Sequence, residues 1–253
     1  MATTKTVPKK TVGTAVAVKK SANVMSIQDA LKAQAAELND RVAPASGNKI
    51  RMDSKKFILP DGTTTPGPLE LVIIDFAGAN NWYDRPFKKG DEGPPACYSA
   101  GTNLKTMVPS SNSPVKQNDD CASCPRNQWP EGGGAKECQN GRLLAVLPPD
   151  SDEDTPLWTL QVSPTALKGF DSYVSNVARM FQSMPVSVVT TVTLDDSVTY
   201  PRLLFTDPKP NPNLAAHFAR QAEAREMVLA EKDVSGYKPL APPPTRRASN
   251  TRR

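Results

Sequence analysis

Short runs in which apolar and polar residues alternate dominate the middle of the chain and predict β-strands. The strongest run, Leu69–Phe76, is almost continuously apolar, which predicts a strand buried on both faces. Turn-forming triplets such as Pro60-Asp61-Gly62 and Asp195-Asp196-Ser197 separate neighbouring runs. The predicted strands span residues 49–52, 55–59, 69–76, 142–147, 157–162, 186–194 and 199–206.

Three other segments repeat apolar residues at spacings of three and four, which predicts helices. The first, residues 25–43, has Ser26 as a candidate N-cap and Asp29 in its first turn. The second begins at Ser163-Pro164 and extends to Phe181. The third covers residues 211–232 and is rich in alanine, with charged residues interleaved.

This order of elements predicts an α+β fold that is mainly β. A small closed barrel, with a helix interrupting the series of strands, would bury strands this short. An OB-like barrel over residues 48–207 is therefore the leading prediction, with the helices flanking it. Residues 96–140 would form a loop inserted between two of its strands.

Charge is distributed unevenly along the 253 residues. Residues 1–20 contain five lysines, and residues 238–253 contain one lysine and four arginines, with no acid in either segment. The total net charge is +5, so residues 21–237 carry −5. Low apolar content predicts disordered basic arms at residues 1–24 and 236–253, the second of them rich in proline. Such arms can gather on a polyanion such as nucleic acid, or can merely keep the protein soluble.

All four cysteines fall in the predicted inserted loop. Cys97 is followed by 23 residues, then by Cys121-Ala122-Ser123-Cys124, then by 13 residues and Cys138. Prolines and glycines interrupt this stretch and aliphatic residues are few, so it cannot bury a core of its own. A two-residue spacer lets the sulfurs of Cys121 and Cys124 face one metal ion, and the other two cysteines complete a tetrahedral shell.

We therefore predict a Zn²⁺ ion bound by Cys97, Cys121, Cys124 and Cys138. Four protein ligands leave no open position for a water molecule, so a structural role is favoured over catalysis. An iron–sulfur cluster takes the same ligands, and an even number of cysteines also permits disulfides or free thiols. His217 lies far along the chain in a predicted helix, where we expect it to be packed or at the surface.

Aromatic and basic residues accompany the cysteines in sequence. Residues 76–89 have the glycine, asparagine and proline content of a loop, and their aromatic rings could stack on unpaired bases while lysines contact phosphates. Alternatively, Trp82 and Phe87 could pack under the metal-binding loop. Residues 81–142 contain eight basic and seven acidic residues, so a positive surface requires folding to segregate the charges. The candidate nucleic-acid-binding residues are Trp82, Tyr83, Phe87, Lys88, Lys89, Tyr98, Arg126, Trp129 and Arg142.

The string from Cys121 to Trp129, followed by Ala135–Cys138 and Arg142–Leu147, resembles a block found in tailed-phage proteins. In plan, residues 49–206 are similar to phage single-stranded-DNA-binding proteins that carry a zinc subdomain on an OB-fold. The resemblance implies a protein that coats single-stranded DNA without strong sequence preference. It also implies an accessory role in DNA replication or recombination, with proteins of those processes as further partners.

An enzyme is not expected, because the sequence contains no phosphate-binding glycine loop, no histidine near a cysteine and no cluster of metal-binding carboxylates. The main alternative is a zinc-stabilised module that binds other proteins, in a regulatory role or in a virion. An iron–sulfur nuclease is less favoured. The sequence has no run of about 18 apolar residues and no signal-peptide pattern. We therefore expect no membrane association and a cytoplasmic location, in the host cell if the protein is viral.

Overall fold

The computed structural model describes residues 47–86 and 93–239. The chain divides into two units, residues 1–47 and 48–253, and the described residues belong almost entirely to the second. The predicted arm at residues 1–24, the predicted helix at residues 25–43 and residues 240–253 of the predicted C-terminal arm lie outside the described residues.

Nine strands and three helices make up the described structure. The strands are β1 (Lys49–Asp53), β2 (Lys56–Ile58), β3 (Thr64–Thr65), β4 (Leu69–Trp82), β5 (Cys97–Gly101), β6 (Gln139–Leu147), β7 (Trp158–Val162), β8 (Val188–Leu194) and β9 (Leu203–Pro210). The helices are α1 (Leu167–Phe181), α2 (Leu214–Ala219) and α3 (Gln221–Leu229). Short 3-10 turns lie at Pro125–Asn127, Pro164–Ala166 and Pro185–Ser187.

The sheet is organised around β4, the longest strand. One edge of β4 pairs with β6 along most of its length. The other edge is shared, because β8 pairs with residues 69–71 and β5 pairs with residues 78–82. This division places the cysteine-bearing strand β5 at the C-terminal end of β4, away from the β8–β9 hairpin.

The remaining strands extend the sheet in the order β3-β2-β1-β7-β6-β4-β8-β9. Every described pair is antiparallel except β1 with β7, which is parallel. The sheet curls so that its outer hairpins meet: Lys55, in the turn between β1 and β2, donates from Nζ to the carbonyl oxygens of Asp195 and Val198, between β8 and β9. The result is an α+β fold, mostly sheet, with a curled half-barrel.

Helices cover both faces of the sheet. On the inner face, Phe170, Tyr173 and Val177 of α1 pack into an apolar cluster that includes Leu71 and Ile73 of β4. On the outer face, Ala224 and Val228 of α3 pack against a second cluster that includes Val72 and Ile74 of β4. The alternating side chains of β4 therefore enter two cores, and the prediction that this strand is buried on both faces is confirmed.

Most predicted elements in the described region are present, but several boundaries differ and two strands were missed. The predicted strand at residues 199–206 is displaced, because β9 spans Leu203–Pro210, and β6 begins at Gln139 rather than at Arg142. The predicted loop at residues 76–89 is wrong in its first half, because β4 continues through Trp82. The predicted C-terminal helix is interrupted at Arg220, which separates α2 from α3. The short strands β3 and β5 were not predicted. None of the helices in the described region is long and apolar enough to cross a membrane.

Candidate functional site

The four cysteines lie around one small cavity at the end of β4. Cys97 is the first residue of β5, Cys138 directly precedes β6, and Cys121 and Cys124 lie in the intervening loop. All four line a cavity of about 20 Å³, which is room for about one water-sized species. The pairing of Cys97 with Trp82 fixes the cavity beside the last residue of β4.

All four cysteines are free thiols in the structure. Burial, followed by the proximity of the other three cysteines, raises the pKa of Cys138 to about 12. Burial also raises the pKa of Cys121, although side-chain hydrogen bonds with Ser99 and Asn80 oppose the shift. Among the described residues, no group of three Cys, His, Asp or Glu side chains has its ligand atoms close enough together to hold a metal ion. The sulfurs thus share a cavity without forming a coordination cluster.

Few buried side chains hold the loop between β5 and β6. Within residues 102–138 only Met107, Pro109 and Cys124 are buried, as expected for a segment that cannot form its own core. Met107 anchors it by packing on the paired glycines Gly78 and Gly101, where added Cβ atoms would approach Met107 to 3.0 Å. Backbone and side-chain hydrogen bonds fasten the rest of the loop.

Backbone hydrogen bonds connect Cys121 to Met107, and connect Cys138 to the segment that follows Cys124. The amide of Cys121 donates to the carbonyl of Met107 at 3.0 Å, and the amide of Cys138 donates to the carbonyl of Arg126 at 2.8 Å. The Asn127 side chain donates to the carbonyl of Cys121 at 2.7 Å. The loop therefore brings Arg126 and Cys138 next to β4.

Residues 102–138 form the cysteine loop, which packs against Trp82. Its Nε1 donates to Glu137 Oε2 at 3.2 Å, and the Arg126 guanidinium carbon lies 5.2 Å from its ring centroid. Arg126 also donates to both carboxylate oxygens of Glu137, at 2.7 and 2.6 Å. These contacts from Arg126 and then Trp82 hold the pKa of Glu137 below its usual value. The indole is half-buried, so it both supports the loop and exposes part of its ring.

Among the candidate aromatic residues that the structure describes, Trp129 has the highest exposure, 70%. Lys136 places its Nζ 5.4 Å from the indole centroid. Tyr83, next to Trp82, is 39% exposed. The end of β4 and the cysteine loop therefore present three aromatic rings, two of them beside a cation.

Two candidate residues lie below the surface. Tyr98 is 3% exposed and donates its hydroxyl to Glu231. Arg142 is 7% exposed and donates from Nη2 to Asp171 Oδ2 of α1 at 2.9 Å. Neither side chain presents a ring face or a guanidinium to solvent, so both are removed from the candidate surface. Phe87, Lys88 and Lys89 lie outside the described residues.

His217 is 1% exposed and packed within the fold. Its Nε2 lies 2.9 Å from Ser151 Oγ, and its Nδ1 contacts the Asn211 side-chain amide. Burial, with a smaller effect from Arg220, lowers its pKa. The expectation of a packed or surface role for this histidine is confirmed.

Three residues of the site region were missed by sequence reasoning: Glu137, Gln139 and Tyr237. Glu137 pairs with Arg126, and Gln139 lies opposite Asn81 of β4. Tyr237 donates its hydroxyl to Asp84 from the far end of the described chain. No local pattern could have found Tyr237, because the contact joins segments separated by most of the fold.

Comparison of the chain with protein-family models, with curated proteins and with solved structures finds no match. The function is therefore inferred from the geometry of the site.

Proposed function

We propose that the chain binds single-stranded DNA without strong sequence preference, through the aromatic and basic side chains at the end of β4 and on the cysteine loop. The observation that carries this proposal is the placement of Trp82 and Trp129 beside Arg126 and Lys136. Aromatic faces stack on unpaired bases of any identity, and neighbouring cations balance phosphate charge. Each stacked base contributes about 1–3 kcal/mol, so two or three rings suffice for useful affinity.

Two acidic residues near these rings are paired with bases. Glu137 accepts hydrogen bonds from Arg126, and Asp84 accepts a hydrogen bond from Arg85 Nε at 3.1 Å. Each pair uses one acid and one base, so the net charge of the region is unchanged by pairing. Basic residues outside these pairs, such as Lys136, would contribute to the attraction of a polyanion.

A structural Zn²⁺ held by Cys97, Cys121, Cys124 and Cys138 is part of the same proposal. The shared cavity and the poorly buried loop support it. Zinc would require the four sulfurs to close in on the cavity to about 2.3 Å from the ion. Its effect would be to hold Arg126, Trp129 and Lys136 in place relative to Trp82.

The cellular role proposed from the sequence resemblance is accessory to replication or recombination of phage DNA. An OB-like relationship of the curled sheet belongs to this proposal too, supported by the short antiparallel strands and by the helix α1 inserted between β7 and β8.

A second candidate function is a zinc-stabilised module that binds another protein. The observation that favours it is the exposure of three apolar side chains on the cysteine loop, Leu104 at 49%, Val108 at 58% and Val115 at 39%. Exposed apolar side chains are typical of protein-binding surfaces where they form one contiguous patch.

The deciding experiment is a titration of the full chain against a fluorescein-labelled oligothymidylate at several salt concentrations. Strand binding predicts that tryptophan fluorescence is quenched. It also predicts that the logarithm of the binding constant falls linearly with the logarithm of the salt concentration. Absence of binding at low salt would overturn the strand-binding proposal and leave the protein-binding one.

A further inference from the structure

A cavity of about 350 Å³ lies beside Trp82, between the chain that follows β4 and the segment that follows α3. Its volume falls within the range of small-molecule sites. Two tyrosine rings, two basic side chains, a carboxylate and an amide contribute to its walls. These residues are Tyr83, Asp84, Arg85, Gln139, Tyr237 and Lys238.

The second wall of this cavity is fixed to the first. Tyr237 donates its hydroxyl to Asp84 Oδ2 at 2.6 Å, and Arg85 donates to the carbonyl oxygen of Lys238. The guanidinium carbon of Arg85 lies 5.9 Å from the Tyr237 ring centroid. Farther back along the segment, Ser110 Oγ donates to Glu231 at 2.6 Å.

The cavity continues towards the candidate binding surface. An adjoining open depression of about 370 Å³ shares residues 83–86 and Gln139 with the cavity and adds Trp82 and Glu137. Together they form one groove, which begins at the indole beneath the cysteine loop and ends at Tyr237. A strand that stacks on Trp82 is thereby directed towards the cavity.

We propose that this cavity takes one unpaired base of a bound single strand, an inference that rests on the proposed function. The rings of Tyr83 and Tyr237 supply apolar surface for a base. Gln139 supplies a hydrogen-bonding group for the base edge, and Lys238 supplies positive charge for a flanking phosphate, whereas Asp84 and Arg85 hold the two walls together. This combination of aromatic surface and cations matches a nucleotide.

The test compares two labelled oligomers of equal length with the full chain, an oligothymidylate and the same backbone without bases. Tyr237→Ala is expected to weaken binding of the oligothymidylate about 5- to 150-fold, the range for one lost stacking contact, and to leave binding of the abasic oligomer unchanged. Tyr237→Phe keeps the ring but removes the hydroxyl that donates to Asp84, and it is expected to bind the oligothymidylate more tightly than Tyr237→Ala. Lys238→Gln is expected to weaken both oligomers and to reduce the salt slope by about 0.7.

A second measurement uses the unaltered protein, so that it does not depend on the variants folding. Photocrosslinking of an oligomer carrying 4-thiothymidine is expected to label Tyr83 or Tyr237. Crosslinks confined to other residues, or equal affinity of Tyr237→Ala and wild type for the oligothymidylate, would overturn the cavity assignment while strand binding stands. Failure of the wild type to bind either oligomer would overturn the proposed function itself.

Discussion

Trp129 and Trp82 contribute the same ring chemistry in different surroundings. Trp82 lies within a network of Arg126 and Glu137, so its replacement disturbs the cysteine loop as well as the surface. Trp129 is 70% exposed and contacts the cation of Lys136. Trp129 is therefore the cleaner probe of base stacking.

Trp129→Ala is expected to weaken oligonucleotide binding by about 1–3 kcal/mol and to leave the thermal midpoint within about 2 °C of the wild type. Fluorescence anisotropy and thermal unfolding measure the two quantities. The matched control is Phe218→Ala, because Phe218 is 57% exposed on α2. Equal losses of affinity in both variants would show that Trp129 has no specific role.

Arg142 was predicted to bind nucleic acid from its position in the sequence, whereas its burial indicates a structural role. Its guanidinium is sequestered between β6 and α1, where it pairs with Asp171. Arg142→Ala is expected to lower the free energy of unfolding by about 1–3 kcal/mol, because it removes a buried, paired side chain. Urea denaturation measures this loss. Unchanged stability combined with weaker DNA binding would contradict the structural role and support Arg142 as a nucleic-acid-binding residue.

At the scale of elements, the turn between β8 and β9 depends on one carboxylate. Asp195 Oδ1 accepts from the hydroxyl and amide of Ser197, Oδ2 accepts from Arg202, and these bonds lower the pKa of Asp195 to about 2. The depressed pKa favours the folded state above the ordinary pKa of 3.8, and this contribution is lost as the pH falls towards 2.

Asp195→Asn is therefore expected to lower the thermal midpoint at pH 7, and the difference from the wild type is expected to shrink between pH 4 and pH 2. Asp196→Asn is the matched control, because Asp196 is the exposed neighbour in the same turn. A difference that stays constant over that pH range would contradict the role assigned to Asp195.

The periodicity of apolar residues predicted the helices and strands that have a clear local pattern. It failed where pairing with neighbouring strands outweighs the strand propensity of the residues themselves. Residues 77–82 include glycine and asparagine, which disfavour strands, yet β5 and β6 hold them in β4 from both sides. The four cysteines predicted as metal ligands line one cavity, and their binding of a metal stays a prediction. The burial of Tyr98 and the approach of Tyr237 to Asp84 depend on long-range packing, which sequence spacing does not encode.

At the scale of the whole molecule, the first residues of the predicted basic C-terminal arm, residues 236–253, are held at the groove through Tyr237 and Lys238. The carbonyl of Lys238 accepts from Arg85. Arg246 follows Lys238 by eight residues, and a chain of that length spans at most about 28 Å. If the proposed function holds, we expect the arginines of this arm to contribute contacts to the phosphates of the bound strand.

Replacing Arg246, Arg247, Arg252 and Arg253 by glutamine is expected to reduce the salt slope of DNA binding by up to about 3, at about 0.7 per phosphate contact. The comparison variant replaces Lys5, Lys9, Lys10 and Lys19 by glutamine and removes the same charge elsewhere. An unchanged slope after the arginine replacements would exclude the arm from the interface.

The central claim joins the cysteine loop to the binding of unpaired bases. Its most direct test is the affinity of the full chain for a labelled oligothymidylate at low salt, measured before metal removal, after removal, and after addition of one equivalent of Zn²⁺. The account predicts tight binding, a loss of at least about tenfold without the metal, and recovery with zinc. Equal affinity with and without metal, or no binding in any state, would contradict it.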